Sequence, residues 1–220
     1  MPILVILIAC VLLAGCQSNT PEQPAQMPIG QPYDSSKAPH VEIHADRVLF
    51  TFEGTHISLT RPHDWEAYGT EYGVVIAEHI GSVAKRGQLD GLLAYVFLTP
   101  LENYPQTVAT SSAKSVLDLL VTDPDYVGEA SVSPTVAFNW NGHEAAYYLL
   151  RDDQMHVLTL VMAVVLPDQG KLLTWTISAP PDHANRIREM LPELFGALTL
   201  NDIQFTRDAL DALPEVLEFP

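Results

Sequence analysis

Residues His156 to Leu166 read HVLTLVMAVVL, an almost unbroken apolar and β-branched run. Turn-forming residues bound it, Asp152-Asp153 before and Asp168-Gln169-Gly170 after. A run of this kind predicts a central strand covered on both faces. The rest of the chain must then supply strands beside it and layers above and below it. Leu172 to Ser178 returns as an antiparallel partner. Val132 to Phe138 and Glu144 to Arg151 flank Asn141-Gly142, the preferred pair for a tight type I′ turn.

The remaining elements follow from periodicity. Val48 to Phe52 and His56 to Thr60 alternate apolar and polar residues around Glu53-Gly54, which predicts a hairpin. Arg61-Pro62-His63-Asp64-Trp65 ends it, because proline removes a ladder donor. Val74 to Glu78 and Leu92 to Leu98 read as two more strands, separated by a polar loop with Lys85, Arg86 and Gly87. Ser111 or Ser112 can cap a helix with Ala113, Val116, Leu117, Leu120 and Val121 on one stripe. Pro180-Pro181-Asp182 opens a second amphipathic helix carrying Ile187, Met190, Leu191, Leu194, Phe195 and Leu198. Pro192 lies inside that stripe and is expected to kink or restart it. Residues 206–220 read as a short acidic helix or tail capped at Thr206.

The N-terminus constrains the address. Ile3 to Ala14 is an apolar run short for a bilayer span, which needs about 20 residues, and of a length suited to a secretory leader. It ends in Leu13-Ala14-Gly15-Cys16, the pattern of a bacterial lipobox, with polar Gln17-Ser18-Asn19 behind it. Cleavage after residue 15 and lipidation of Cys16 are the expectation. The leader departs from pattern in lacking Lys or Arg, which leaves either a start a few codons upstream or reliance on a free amine. Residues 16–39 are rich in Pro, Gln and Ser and read as a flexible tether. The soluble domain is expected over 40–205. Cys10 is the one other cysteine, so a domain after Cys16 has no thiol for a disulfide or for cysteine catalysis.

Charge narrows the partners. The chain carries 27 acidic against 11 basic side chains, a net −16. Nucleic acid is disfavoured, since its affinity comes largely from Lys and Arg neutralising phosphates. Membrane contact is expected from the lipid on Cys16, at an extracytoplasmic face, with an envelope protein as partner.

The order of these pieces resembles the PsbP-like superfamily, which includes the photosystem subunit PsbP and small bacterial lipoproteins such as the LpqN group. The residues that carry the resemblance are Pro62-His63-Asp64-Trp65, the hairpin from Phe138 through Asn141-Gly142 to Ala146, Val157 to Leu166, and Ile187 to Leu200. The resemblance implies an α+β fold, a central antiparallel sheet flanked by helices as an α/β/α sandwich. It also implies an accessory or partner-binding role without enzymatic activity. Its motifs are core and turn positions, so it assigns no functional residue.

Candidate chemistry is sparse. His40, Glu42 and His44 are two apart, so an extended strand would put all three on one face, where two imidazoles and a carboxylate could hold zinc. The plainer account is a solvated edge where tether meets domain. His143-Glu144-Ala145-Ala146-Tyr147 begins like a zincin helix, but it ends in Tyr and follows a hairpin turn. Asp123-Pro124-Asp125 and Asp152-Asp153 lack the spacing of a calcium loop and suit turns. Ser82 lacks a nucleophile elbow, and no dinucleotide or phosphate loop is present. Trp65, Trp140 and Trp175 could line an aromatic pocket, though tryptophan is more often core. No catalytic residue, cofactor or metal site is therefore expected. The function expected is a lipid-anchored, non-catalytic accessory or scaffold domain; the alternative is a ligand- or metal-binding lipoprotein using an aromatic pocket or the His40 cluster.

Overall fold

A computed structural model describes residues 40–70, 73–79, 89–104, 112–201 and 203–220. The leader, Cys16, the tether, Ser82, the Lys85-Arg86-Gly87 loop and Ser111 lie outside the described residues.

The chain first builds a small sheet. Strands β1 (His40–Ile43), β2 (Arg47–Phe52) and β3 (Thr55–Thr60) pair antiparallel. Between the last two, Glu53 and Gly54 both take positive φ, 48° and 76°, the backbone of a type I′ turn. Alternation sends Val48, Phe50, Ile57 and Leu59 inward, each almost wholly buried.

The large sheet follows. Its strands are β4 (Glu66–Gly69), β5 (Gly73–Ala77), β6 (Leu93–Pro100), β7 (Ser131–Val132), β8 (Val136–Trp140), β9 (His143–Asp152), β10 (Val157–Leu166) and β11 (Lys171–Ala179). They lie in the order β4-β5-β6-β11-β10-β9, with β7 and β8 in succession along the outer side of β9. All pairings are antiparallel. β10 sits between β9 and β11 with every residue buried, as its apolar run requires.

Three α-helices lie among the described residues. Helix α1 (Ala113–Thr122) is capped by Ser112, whose side chain accepts from the Ser115 N–H. A single turn, α2 (Pro124–Val127), is capped by Asp123. α3 (Ala184–Phe195) runs through Pro192 as one element. The helix does not restart there; Pro192 forgoes the one N–H that would bond the Arg188 carbonyl. Beyond α3, β12 (Thr199–Leu200) and β13 (Ile203–Gln204) return to the small sheet beside β3. A 3-10 turn at Arg207–Ala212 leads into the C-terminal tail, without a side-chain cap from Thr206.

The expectation of a central sheet flanked by helices is overturned. The described chain is mostly antiparallel β, in two sheets with few helices. On one face of the large sheet the main core joins Leu160, Met162, Val164 and Trp175 to Phe50, Ile57 and Leu59 of the small sheet and to Ile187, Leu191 and Leu194 of α3. A layer assigned to helix is thus shared with a second sheet. The physical reason lies in closure. The N-terminal hairpin has its own apolar face, and two short late strands extend it enough to bury that face. On the opposite face, α1 packs Val116 and Leu117 on Tyr148, Val161 and Ala163.

One polar lock joins the sheets. Lys171, buried at the start of β11, donates from Nζ to the carbonyls of Phe52 (3.3 Å) and Glu53 (3.1 Å) and to Thr55 Oγ1 (2.9 Å). It therefore caps the hairpin turn of the small sheet from the large one. Burial lowers its pKa below the ordinary 10.5, against the attraction of Glu53. No described helix is long and apolar enough to cross a membrane.

Candidate functional site

The histidine cluster comes together on the outside of the small sheet. His40 and Glu42 lie on β1, and His44 follows it. Glu42 holds both rings, His40 Nε2 at 3.2 Å from one oxygen and His44 Nε2 at 3.5 Å from the other. All three are exposed. The imidazoles thus reach opposite oxygens and do not converge on a common point. Among the described residues no group of three or more His, Cys, Asp and Glu side chains is placed to hold a metal ion.

The other polar candidates hold local structure. Asp123 Oδ1 accepts from the Asp125 N–H, and Asp152 Oδ1 accepts from the N–H groups of Gln154 and Met155, each at 2.9 Å. These are turn carboxylates satisfying backbone donors. His143 and Glu144 lie on strand β9. Glu144 accepts from the Ser112 hydroxyl at 2.8 Å, which ties β9 to the start of α1.

The tryptophans fill space. Trp140 and Trp175 are fully buried and meet edge to face with centroids 4.6 Å apart. Trp140 also packs on Phe205 and donates from Nε1 to the Thr206 carbonyl at 3.1 Å. These rings are core, and they anchor the C-terminal segment to β8. Trp65 is buried as well, behind a turn closed by its N–H on the Pro62 carbonyl.

Sequence reasoning missed the feature that distinguishes this surface. At the β8 end of the large sheet a groove of about 340 Å³ opens between the sheet and the tail. Ser133, Pro134, Val136, Tyr147 and Leu149 form its floor, and Pro214, Val216, Leu217 and Glu218 form its wall. Strand alternation explains the floor, because Tyr147 and Leu149 project from the same face of β9. Arg188 of α3 fixes the wall, donating to the carbonyls of Leu210 (3.1 Å) and Pro214 (2.9 Å). Leu213 and Leu217 are buried in the main core, which orients the tail and turns Val216 outward.

Among the described residues, two of the three exposed large apolar side chains lie here, Val136 at 43% and Val216 at 66%. Burial raises the Tyr147 phenol above its ordinary 10.0. The rest of the lining is apolar apart from Glu218 and Ser133, whose hydroxyl donates to the Pro134 carbonyl and accepts from the Leu149 N–H. It therefore lacks the convergent polar groups of a small-molecule or catalytic site. The apolar spacing of Leu213, Val216, Leu217 and Phe219 was the available signal. It shows that the tail has something to bury, but not where.

No protein-family model matches the chain, and no curated protein matches it in sequence.

Proposed function

We propose that this chain is a membrane-anchored extracytoplasmic lipoprotein, held by a lipid on Cys16, whose domain is a non-catalytic accessory or scaffold that binds another envelope protein. The anchor is supported by Leu13-Ala14-Gly15-Cys16 after a short apolar run and before a Pro- and Gln-rich stretch. The binding role is supported by one observation above all. Val136 and Val216, from distant parts of the chain, are exposed on the same apolar groove, and exposed apolar patches commonly mark interaction sites. The resemblance to the PsbP-like superfamily points to the same kind of role. The flanked sheet it implied is not the fold found, so the groove carries the proposal.

Intact-mass analysis of detergent-extracted protein beside Cys16→Ser tests the anchor. Loss of residues 1–15 with gain of diacylglycerol mass is expected for the natural protein alone; an unprocessed, lipid-free natural protein contradicts it. A photo-crosslinking residue placed at Val216, with exposed His63 as control, tests the partner in the native host. One envelope protein crosslinked from 216 and not from 63 is expected. Equal yields from both positions, or none, contradict the docking role.

A further inference from the structure

The groove lies beside a strand whose outer edge meets no other strand among the described residues. There β8 pairs with β9 alone. Asn141 and Gly142, at φ 54° and 85°, close a two-residue type I′ turn between Trp140 and His143. That geometry directs the backbone groups of Trp140, Phe138 and Val136 toward β9. The N–H and C=O of Ala137 and Asn139 face outward, and no described backbone group bonds to them. Edge strands are normally defended by charge, by shortness, by a bulge or by a covering segment. Val136–Trp140 reads VAFNW, without a charge. Pro134 lies just upstream, and the buried Thr135 beside it has no hydrogen-bond partner for Oγ1 among the described residues.

We propose that this edge takes an extended peptide segment of the partner as an added strand, with apolar side chains at alternate positions entering the groove and lysine or arginine at its flanks. This rests on the groove being the docking site. Two outward residues supply two donors and two acceptors, enough to fix the register of a short segment, while pockets for alternate side chains give selectivity. The groove beside Val136 takes the side chains that point one way from such a strand. Charge selects the flanks. Glu215 and Glu218 stand on the tail, Arg188 is turned to backbone carbonyls, and the chain carries −16. The same charge disfavours a second copy of this chain as occupant.

The test uses the full chain and a synthetic peptide, Lys-Lys-Val-Thr-Val-Thr-Val-Lys-Lys, followed by calorimetry and amide hydrogen exchange. Saturable binding is expected, with slowed exchange at Ala137 and Asn139. N-methylation of the peptide amides that face β8 should weaken binding at least about tenfold, whereas methylation of the alternate amides should not. Ala137→Pro, which removes an outward N–H and leaves the β8–β9 ladder intact, should have the same effect with an unchanged melting temperature. The peptide modification keeps the test valid should that variant fold poorly. Binding that is lost in Val216→Asp but indifferent to N-methylation and to Ala137→Pro overturns the added strand and leaves the groove as a docking site. No saturable binding up to about 1 mM overturns the added strand. If crosslinking from Val216 also fails, the docking site falls with it.

Discussion

The two ends of the large sheet are finished in opposite ways. At one end β4 is four residues long, begins with Glu66, and is overlaid by Val41 of the small sheet, which presses on Gly69. Beside it, Glu78 at the end of β5 accepts from the Leu92 N–H and pairs with Arg186 of α3. At the other end β8 is uncharged, its outward backbone groups meet no described partner, and an apolar groove adjoins it. The same helix serves both ends, with Arg186 locking the first and Arg188 holding the tail at the second. One edge is thus charged and overlaid, whereas the other carries neither defence.

The largest expected effect concerns the main core, against which both ends pack. Trp140→Ala should cost about 3–5 kcal/mol in denaturant unfolding, because it empties a buried aromatic site and removes the anchor of the C-terminal segment. A loss under about 1 kcal/mol would mean that β8 is held by something other than the core.

At the closed end, a Cβ on Gly69 would stand 2.7 Å from Val41 Cγ2. Gly69→Val should therefore cost about 1–3 kcal/mol through overpacking, read from the unfolding midpoint. A neutral result would separate the small sheet from β4 and weaken the contrast between the ends.

The Glu78 lock is sharpened by pH. Burial alone would raise its pKa, but the Arg186 and Leu92 hydrogen bonds outweigh this and hold it below the ordinary 4.5. A carboxylate lowered on folding contributes stability that is full above its unfolded pKa and lost as pH falls through the folded one. Glu78→Gln should thus cost about 1 kcal/mol at pH 7. The gap from the natural protein should close as pH falls below 4.5. A gap that stays constant with pH would remove the charge from the explanation.

The smallest effect belongs to the open end. Ala137→Lys adds the charge that edge strands normally carry, and should change stability by less than about 0.5 kcal/mol. A larger loss, measured by thermal melting, would show that the edge is already occupied.

How far these features could be read in advance depends on the range of the interactions behind them. The β10 run, both type I′ turns, the Ser112 cap and the apolar stripes of α1 and α3 arise from residues close in the chain, and each is visible in its neighbours. The assignment of layers followed the resemblance to a flanked sheet, and no local feature of the chain corrected it. Nothing local says that Phe50 and Leu59 would meet Trp175, or that Thr199–Leu200 would return to β3. β1 and β4 are each four residues long, too brief for alternation to stand out. The groove depends on Val136 and Val216 meeting across the fold, and on Arg188 holding carbonyls that sequence does not display. The pairing of His40 and His44 through Glu42 follows from spacing alone, yet spacing could not say that the rings would reach opposite oxygens.

The most direct test of an open edge is amide hydrogen exchange along β8 in the full chain without any partner. Alternation is expected, with Phe138 and Trp140 protected by their bonds to β9, and Ala137 and Asn139 exchanging far faster. Equal protection at all four amides would contradict the account, since the outward groups would then already be paired.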